Sequence, residues 1–175
     1  MIEKRITKGI LIPVGGNEDK GDRWNSRLNF SEKGVLSHIL QEAKGKESKV
    51  VVIPTASKIP EEVGHSYIKA FNKLGCKEVS ILNITRKNHS ENKEHLRLIE
   101  QADCIMFSGG NQSRISTKIK DTTLHEILKQ RFESEPVVIA GTSAGAMAMA
   151  EEMIAGGSSS EALQKGAVIM KKGLG

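Results

Sequence analysis

Pro136-Val137-Val138-Ile139-Ala140-Gly141-Thr142-Ser143-Ala144-Gly145-Ala146-Met147-Ala148-Met149-Ala150 reads as strand, sharp turn, helix. Apolar, β-rich residues lead into Gly141, and good helix formers follow Gly145. A serine on a strained strand-to-helix turn holds its hydroxyl clear of the backbone, and the residues two positions to either side must be small to avoid collision. Gly141 and Gly145 meet that need, and Ala144 and Ala146 keep the surroundings narrow. Ser143 is therefore the candidate nucleophile. The bare G-x-S-x-G pattern would arise by chance about 0.15 times in a chain of this length and composition, so its context has to carry the reading. A glycine-rich turn with a helix-capping serine is the alternative local reading.

Outward from this stretch, short apolar runs recur at 9–14, 50–54, 79–84, 104–107 and 137–140. Most are apolar continuously rather than at every second position, which a strand covered on both faces requires. Between them lie helical patterns. Val63, Tyr67, Ala70, Phe71 and Leu74 form one stripe of a helix begun just after Pro60. Leu28, Val35, Leu36, Ile39 and Leu40 give a weaker version. Leu124, Ile127, Leu128 and Phe132 give another, with Asp121 or Thr122 placed to cap its start. The alternation predicts an α/β fold, a parallel sheet with helices on both faces, formed by residues 1–175 as a single domain. In such sheets ligands bind beyond the carboxyl ends of the strands.

A serine nucleophile of this kind needs an oxyanion hole, built from the N–H of the following residue and a second N–H from another strand's loop. Ala144 supplies the first. The run at 104–107 ends in Ser108-Gly109-Gly110-Asn111-Gln112, whose glycines let backbone approach a substrate, and Gly110 is the candidate second donor. The same glycines would also serve simply to turn the chain into the next helix.

Composition narrows the function classes. The 26 Lys+Arg against 21 Asp+Glu give a net charge of +5, but the lysines are scattered and aromatics make up only 3%. A nucleic-acid partner is therefore not expected, since binders show a basic stripe with stacking residues. The first strongly apolar stretch is too short to cross a membrane, and Cys76 and Cys104 lack metal or redox spacing and read as buried reduced thiols. A cytoplasmic setting without a membrane partner is expected. No metal constellation is visible in the sequence, and serine-relay chemistry calls for no cofactor.

Five blocks in order, Gly15-Gly16-Asn17-Glu18-Asp19-Lys20, Ser108-Gly109-Gly110-Asn111-Gln112, Gly141 to Ala146, Gly156-Gly157-Ser158 and Lys172-Gly173-Leu174-Gly175, resemble the cyanophycinases, relatives of the aspartyl dipeptidase peptidase E. The resemblance runs over nearly the whole chain. It implies a fold similar to class I glutamine amidotransferases (flavodoxin-like), a Ser-His-Glu relay, a homodimer, and cleavage of cyanophycin, an arginine-bearing poly-aspartate, into β-Asp-Arg dipeptides. By motif, Ser143 matches the nucleophile, Glu161 the relay acid and Gln112 a residue lining the substrate pocket. Glu161 also reads as an exposed carboxylate opening a helix after a serine run. Glu18 and Asp19 match the first block, where a structural role is open to them.

The histidines depart from that pattern. His38, His65, His89, His95 and His125 all precede Ser143, whereas the resemblance places the relay histidine after it, in an Asp-Gln-His-Phe segment beyond the Gly-Leu-Gly at 173–175. Surface or helix-packing roles are expected for all five. The expectation is thus a chain that stops before its catalytic base and is inactive alone. Two other functions compete: a dipeptidase or acyl hydrolase of the same fold acting on another substrate, and a non-catalytic ligand-binding domain. Against the second, Gly15-Gly16 lacks the G-x-G-x-x-G spacing and no phosphate-loop motif occurs.

Overall fold

A computed structural model describes residues 7–16, 18–21, 30–157 and 167–175. Five strands form one parallel sheet: β1 (Ile10–Val14), β2 (Val50–Ile53), β3 (Val79–Ile81), β4 (Cys104–Phe107) and β5 (Val138–Thr142), in the order β1-β5-β4-β2-β3. Each expected run overlaps one of these strands: β4 matches its run, β1, β2 and β3 are shorter at one end, and β5 starts one residue later and runs on through Gly141 and Thr142. The chain steps outward from β2 to β3 and then returns to place β4 and β5 on the other side of β2. The strand that carries the serine motif is thereby inserted between β1 and β4.

Alternation along each inner strand explains why its sequence is apolar without a break. Val50 and Val52, Cys104 and Met106, Val138 and Ala140 face one layer, packed with Leu36, Ile39, Tyr67 and Phe71. Val51 and Ile53, Ile105 and Phe107, and Ile139 face the other, packed with Ile99, Ile115, Leu124 and Ala148. The first layer is built by α2 (Val35–Glu42) and α3 (Pro60–Lys73), the second by α4 (Lys93–Gln101), α5 (Gln112–Ile119), α6 (Thr123–Ser134) and α7 (Ala144–Ala148). Helices on both faces of a parallel sheet give the expected α/β, flavodoxin-like class.

Local signals set the helix ends. Pro60 opens α3, where its missing N–H costs nothing. Of the two capping candidates for α6, Thr122 is the one used: its hydroxyl accepts from the His125 N–H at 3.3 Å. The weaker pattern around 28–40 resolves into a short helix, α1 (Phe30–Lys33), and α2, separated at Gly34; Leu28 lies outside the described residues. Two features were not anticipated from sequence. Residues 93–101, a polar Lys/Glu-rich segment, form α4, started by Asn92, whose side chain accepts from the Glu94 and His95 N–H groups. Beyond α7, β6 (Glu152–Gly157) and β7 (Val168–Lys172) pair antiparallel as a separate two-stranded sheet.

The edge strand β1 corrects one expectation. Its run is continuously apolar, yet Ile10 and Leu11 are 39% and 44% exposed. Only Ile12 and Val14 pack against the α2/α3 layer.

Candidate active site

Backbone conformation singles out Ser143. It has φ 52° and ψ −109°, in the region that a residue with a side chain adopts only under strain, at a cost on the order of 1–3 kcal/mol. Hydrogen bonds on both sides hold it there. Its N–H donates to the Val14 carbonyl at 2.9 Å, which extends the β1–β5 pairing past Thr142, and its own carbonyl accepts from the Met147 N–H at 2.9 Å, inside α7. Thr142, Ala144 and Gly145 are buried, whereas Ser143 between them is exposed.

The two glycines of the motif are fixed by close approach. A Cβ on Gly145 would stand 2.5 Å from the Phe107 carbonyl oxygen, and one on Gly141 would stand 2.6 Å from the Gly145 carbonyl carbon. The turn therefore folds back tightly on itself and onto the end of β4, as the sequence pattern required.

Three strand ends meet at this turn. From β4, Gly109 lies against it: a Cβ there would fall 3.5 Å from the Ser143 Cβ. Gly110, with φ +143°, is turned toward the loop after β2, where a Cβ would strike the Ala56 carbonyl oxygen at 2.2 Å. From β1, Gly16, with φ +116°, comes so close that a Cβ would stand 3.0 Å from that of Ser143. The resulting cleft is lined by Glu18, Lys20, Val63, Tyr67, Ser108, Gly109, Thr142 and Ser143.

A buried carboxylate dominates the electrostatics of this cleft. Glu18 Oε1 accepts from Lys20 Nζ at 2.6 Å and from the Tyr67 hydroxyl, and Oε2 accepts from Thr142 Oγ1 at 2.6 Å. Burial by itself pushes the Glu18 carboxyl up. Hydrogen bonds from Lys20, Thr142 and Tyr67 together outweigh it and hold the group below the usual carboxylate range. Tyr67 is driven well above its ordinary value by burial first and then by the charge of Glu18 and the bond to it. Lys20 also stands over the Tyr67 ring, 4.6 Å from its centroid. Sequence reading placed Glu18 in a matching block but missed Lys20 and Thr142, and took Tyr67 as core. The available signal was a run of three charged residues in the loop that follows a strand end, where ligands bind in such folds.

Other assigned residues lie elsewhere. Gln112 begins α5, and its side-chain amide donates to the Ile154 carbonyl of β6; the residue is not among those lining the cleft. Glu161 lies outside the described residues. None of the five histidines lines the cleft. His38 and His65 are exposed on α2 and α3, and His89 and His95 pack edge to face at 6.0 Å. His125 is 6% exposed; its Nδ1 accepts from the Asp121 N–H and its Nε2–H donates to the Leu174 carbonyl at 2.7 Å.

The model of peptidase family S51 matches residues 25–175. The chain belongs to this family. Relatives include the cyanophycinases of Geminocystis herdmanii, 33% identical over 98% of this chain and 60% of that protein, and of Synechococcus elongatus, 33% identical over 96% of this chain and 49% of that protein. The chain thus spans half to three fifths of the length of these relatives. Among solved structures, a peptidase from an acI-B1 Actinobacterium superposes with a TM-score of 0.72 at 21% identity, covering 97% of this chain and 65% of that one. A putative peptidase E of Listeria monocytogenes gives 0.57 at 19% identity, covering 97% and 75%. At these identities the two structures establish the shared fold. No helix among the described residues is long and apolar enough to cross a membrane.

Proposed function

We propose that this chain is the nucleophile-bearing part of a serine exopeptidase that hydrolyses cyanophycin to β-Asp-Arg dipeptides in the cytoplasm, working as a homodimer. The observation that carries the reading is Ser143: an exposed hydroxyl on a strained backbone, at the carboxyl end of an inner strand, among buried neighbours. The substrate class follows from the cyanophycinase relatives and from the block pattern.

In the proposed mechanism the Ser143 oxygen attacks the scissile carbonyl as a histidine takes its proton, and the collapsing intermediate returns that proton to the leaving amine. The Ala144 N–H and a second N–H from the loop after β4 receive the oxyanion. Gly110 is the assigned donor, and Gly109 is the glycine of that loop packed against the serine turn. Glu161 is assigned to orient the histidine and Gln112 to contact substrate, both by resemblance. A serine hydroxyl is a poor nucleophile until a base takes its proton. His125 is committed to Leu174, and the other four histidines lie away from the cleft.

The test compares hydrolysis by the 175-residue chain with that by a chain extended through the expected Asp-Gln-His segment, each beside its Ser143→Ala variant. Activity only in the extended chain, lost about 10⁴-fold or more in Ser143→Ala, is the expected result. Activity in the short chain that vanishes with Ser143→Ala would make one of the five histidines the base. Turnover of α-linked Asp-X dipeptides in preference to the β-linked polymer would reassign the substrate.

A further inference from the structure

Glu18 performs no bond-making in the mechanism above, yet its side chain is 2% exposed and three donors converge on it. Burying a carboxylate is costly unless its oxygens are satisfied, so a fold that places one beside a nucleophile has built a node there. The node joins three pieces of the molecule: the loop after β1 through Glu18 and Lys20, α3 through Tyr67, and the last residue of β5 through Thr142. Thr142 directly precedes Ser143. The Ser143 backbone is held by Val14 before it and by Met147 after it. The Thr142 side chain is a further, polar handle on the turn, and Glu18 grips it at 2.6 Å.

Resting on the assignment of Ser143 as nucleophile, we propose that Glu18 is a positioning residue, whose bond to Thr142 fixes the strained turn so that the Ser143 hydroxyl points at substrate. Lys20 and Tyr67 in turn hold Glu18 charged and immobile. If Glu18 only packed the loop after β1, Thr142 and Glu18 would contribute to turnover independently. If it acts through Thr142, the two behave as one unit.

The experiment uses the extended chain with Glu18→Ala, Thr142→Val, Thr142→Ser and the Glu18→Ala/Thr142→Val double variant, with circular dichroism to confirm that each is folded. Alanine removes the acceptor for the Thr142 hydroxyl, whereas glutamine would keep the pair bonded, its N–H₂ donating to that hydroxyl. Misplacing a reacting group by about 1 Å can cost on the order of 10²-fold. The expected result is a kcat lowered by about that factor in Glu18→Ala and in Thr142→Val, with KM changed by no more than about threefold. The double variant should be no slower than the slower single variant, and Thr142→Ser, which keeps the hydroxyl, should retain the wild-type kcat. Unchanged kcat in Thr142→Val, or losses that multiply in the double variant, would overturn the proposal. If Glu18→Ala does not fold, the Thr142→Val and Thr142→Ser pair still decides it.

Hydrolysis that survives Ser143→Ala would instead refute the nucleophile assignment, whatever the Thr142 variants show.

Discussion

The inner strands of the parallel sheet and the β6–β7 hairpin are comparably apolar over short stretches, yet they meet opposite fates. Cys104-Ile105-Met106-Phe107 is buried at every residue, whereas Val168-Ile169-Met170 is exposed at every residue. β4 has a strand on either side and a helical layer on each face, while among the described residues β7 pairs only with β6. The hairpin is held at its base: Met153 packs into the α4–α7 layer, Gly173 N–H donates to Glu151, and Leu174 N–H donates to Ala148. Burial is thus a property of the neighbours a strand acquires, and an apolar run does not fix it.

Truncation should expose that contrast most sharply at β4. Phe107 is 1% exposed, and Phe107→Ala is expected to cost about 3–5 kcal/mol, or roughly 10 °C in Tm. Equilibrium unfolding in urea checks this. A loss below about 1 kcal/mol would mean that the sheet interior is as loosely packed as the hairpin, against the close packing expected of a core.

Gly145→Ala tests the same interior from the opposite direction, by adding an atom. The new Cβ meets backbone rather than a flexible side chain, so the turn or β4 must shift. We expect about 1–3 kcal/mol of destabilisation together with loss of hydrolysis in the extended chain. Gly109→Ala is the control: its Cβ would make ordinary contacts at 3.5 Å, and it should cost well under 1 kcal/mol.

At the rim between core and solvent, Glu18 supplies a pH dependence. Its folded-state carboxyl lies below its unfolded value, so it contributes stability that is fully present above about pH 4.3 and is lost as pH falls through the folded value. Wild type should therefore lose stability on acidification below about pH 4 more steeply than Glu18→Gln. Parallel slopes in urea titrations across that range would show that the buried carboxylate is not held in its charged form.

The hairpin should give the smallest effect. Ile169 is 56% exposed, and Ile169→Thr is expected to change unfolding free energy by no more than about 0.5 kcal/mol. A loss comparable to that of Phe107→Ala would erase the distinction between the two regions.

Sequence alone determined what is local or periodic. Apolar runs located the five parallel strands, and those of the three inner strands are unbroken because a strand with helices on both faces has no solvent side to hold polar residues. Pro60 and the 3.6-residue stripe located α3, Thr122 was one of two named caps for α6, and the spacing Gly141-x-Ser143-x-Gly145 located the turn, because only glycine fits where Gly145 meets Phe107. Strand-like apolar runs did not point to α4, whose apolar stripe of Leu96, Leu98 and Ile99 is sharply one-sided but set among charged residues, or to the hairpin, whose short apolar runs lie outside the β–α alternation. Tertiary structure alone decided which strands lie at the edge, leaving Ile10 and Leu11 exposed. It alone brought Glu18, Lys20, Tyr67 and Thr142 together, since residues as far as 124 positions apart meet only once β1 and β5 are side by side. A charged residue after a strand looks like ordinary loop in one dimension. Its partners, and the burial that makes those partners necessary, exist only in three.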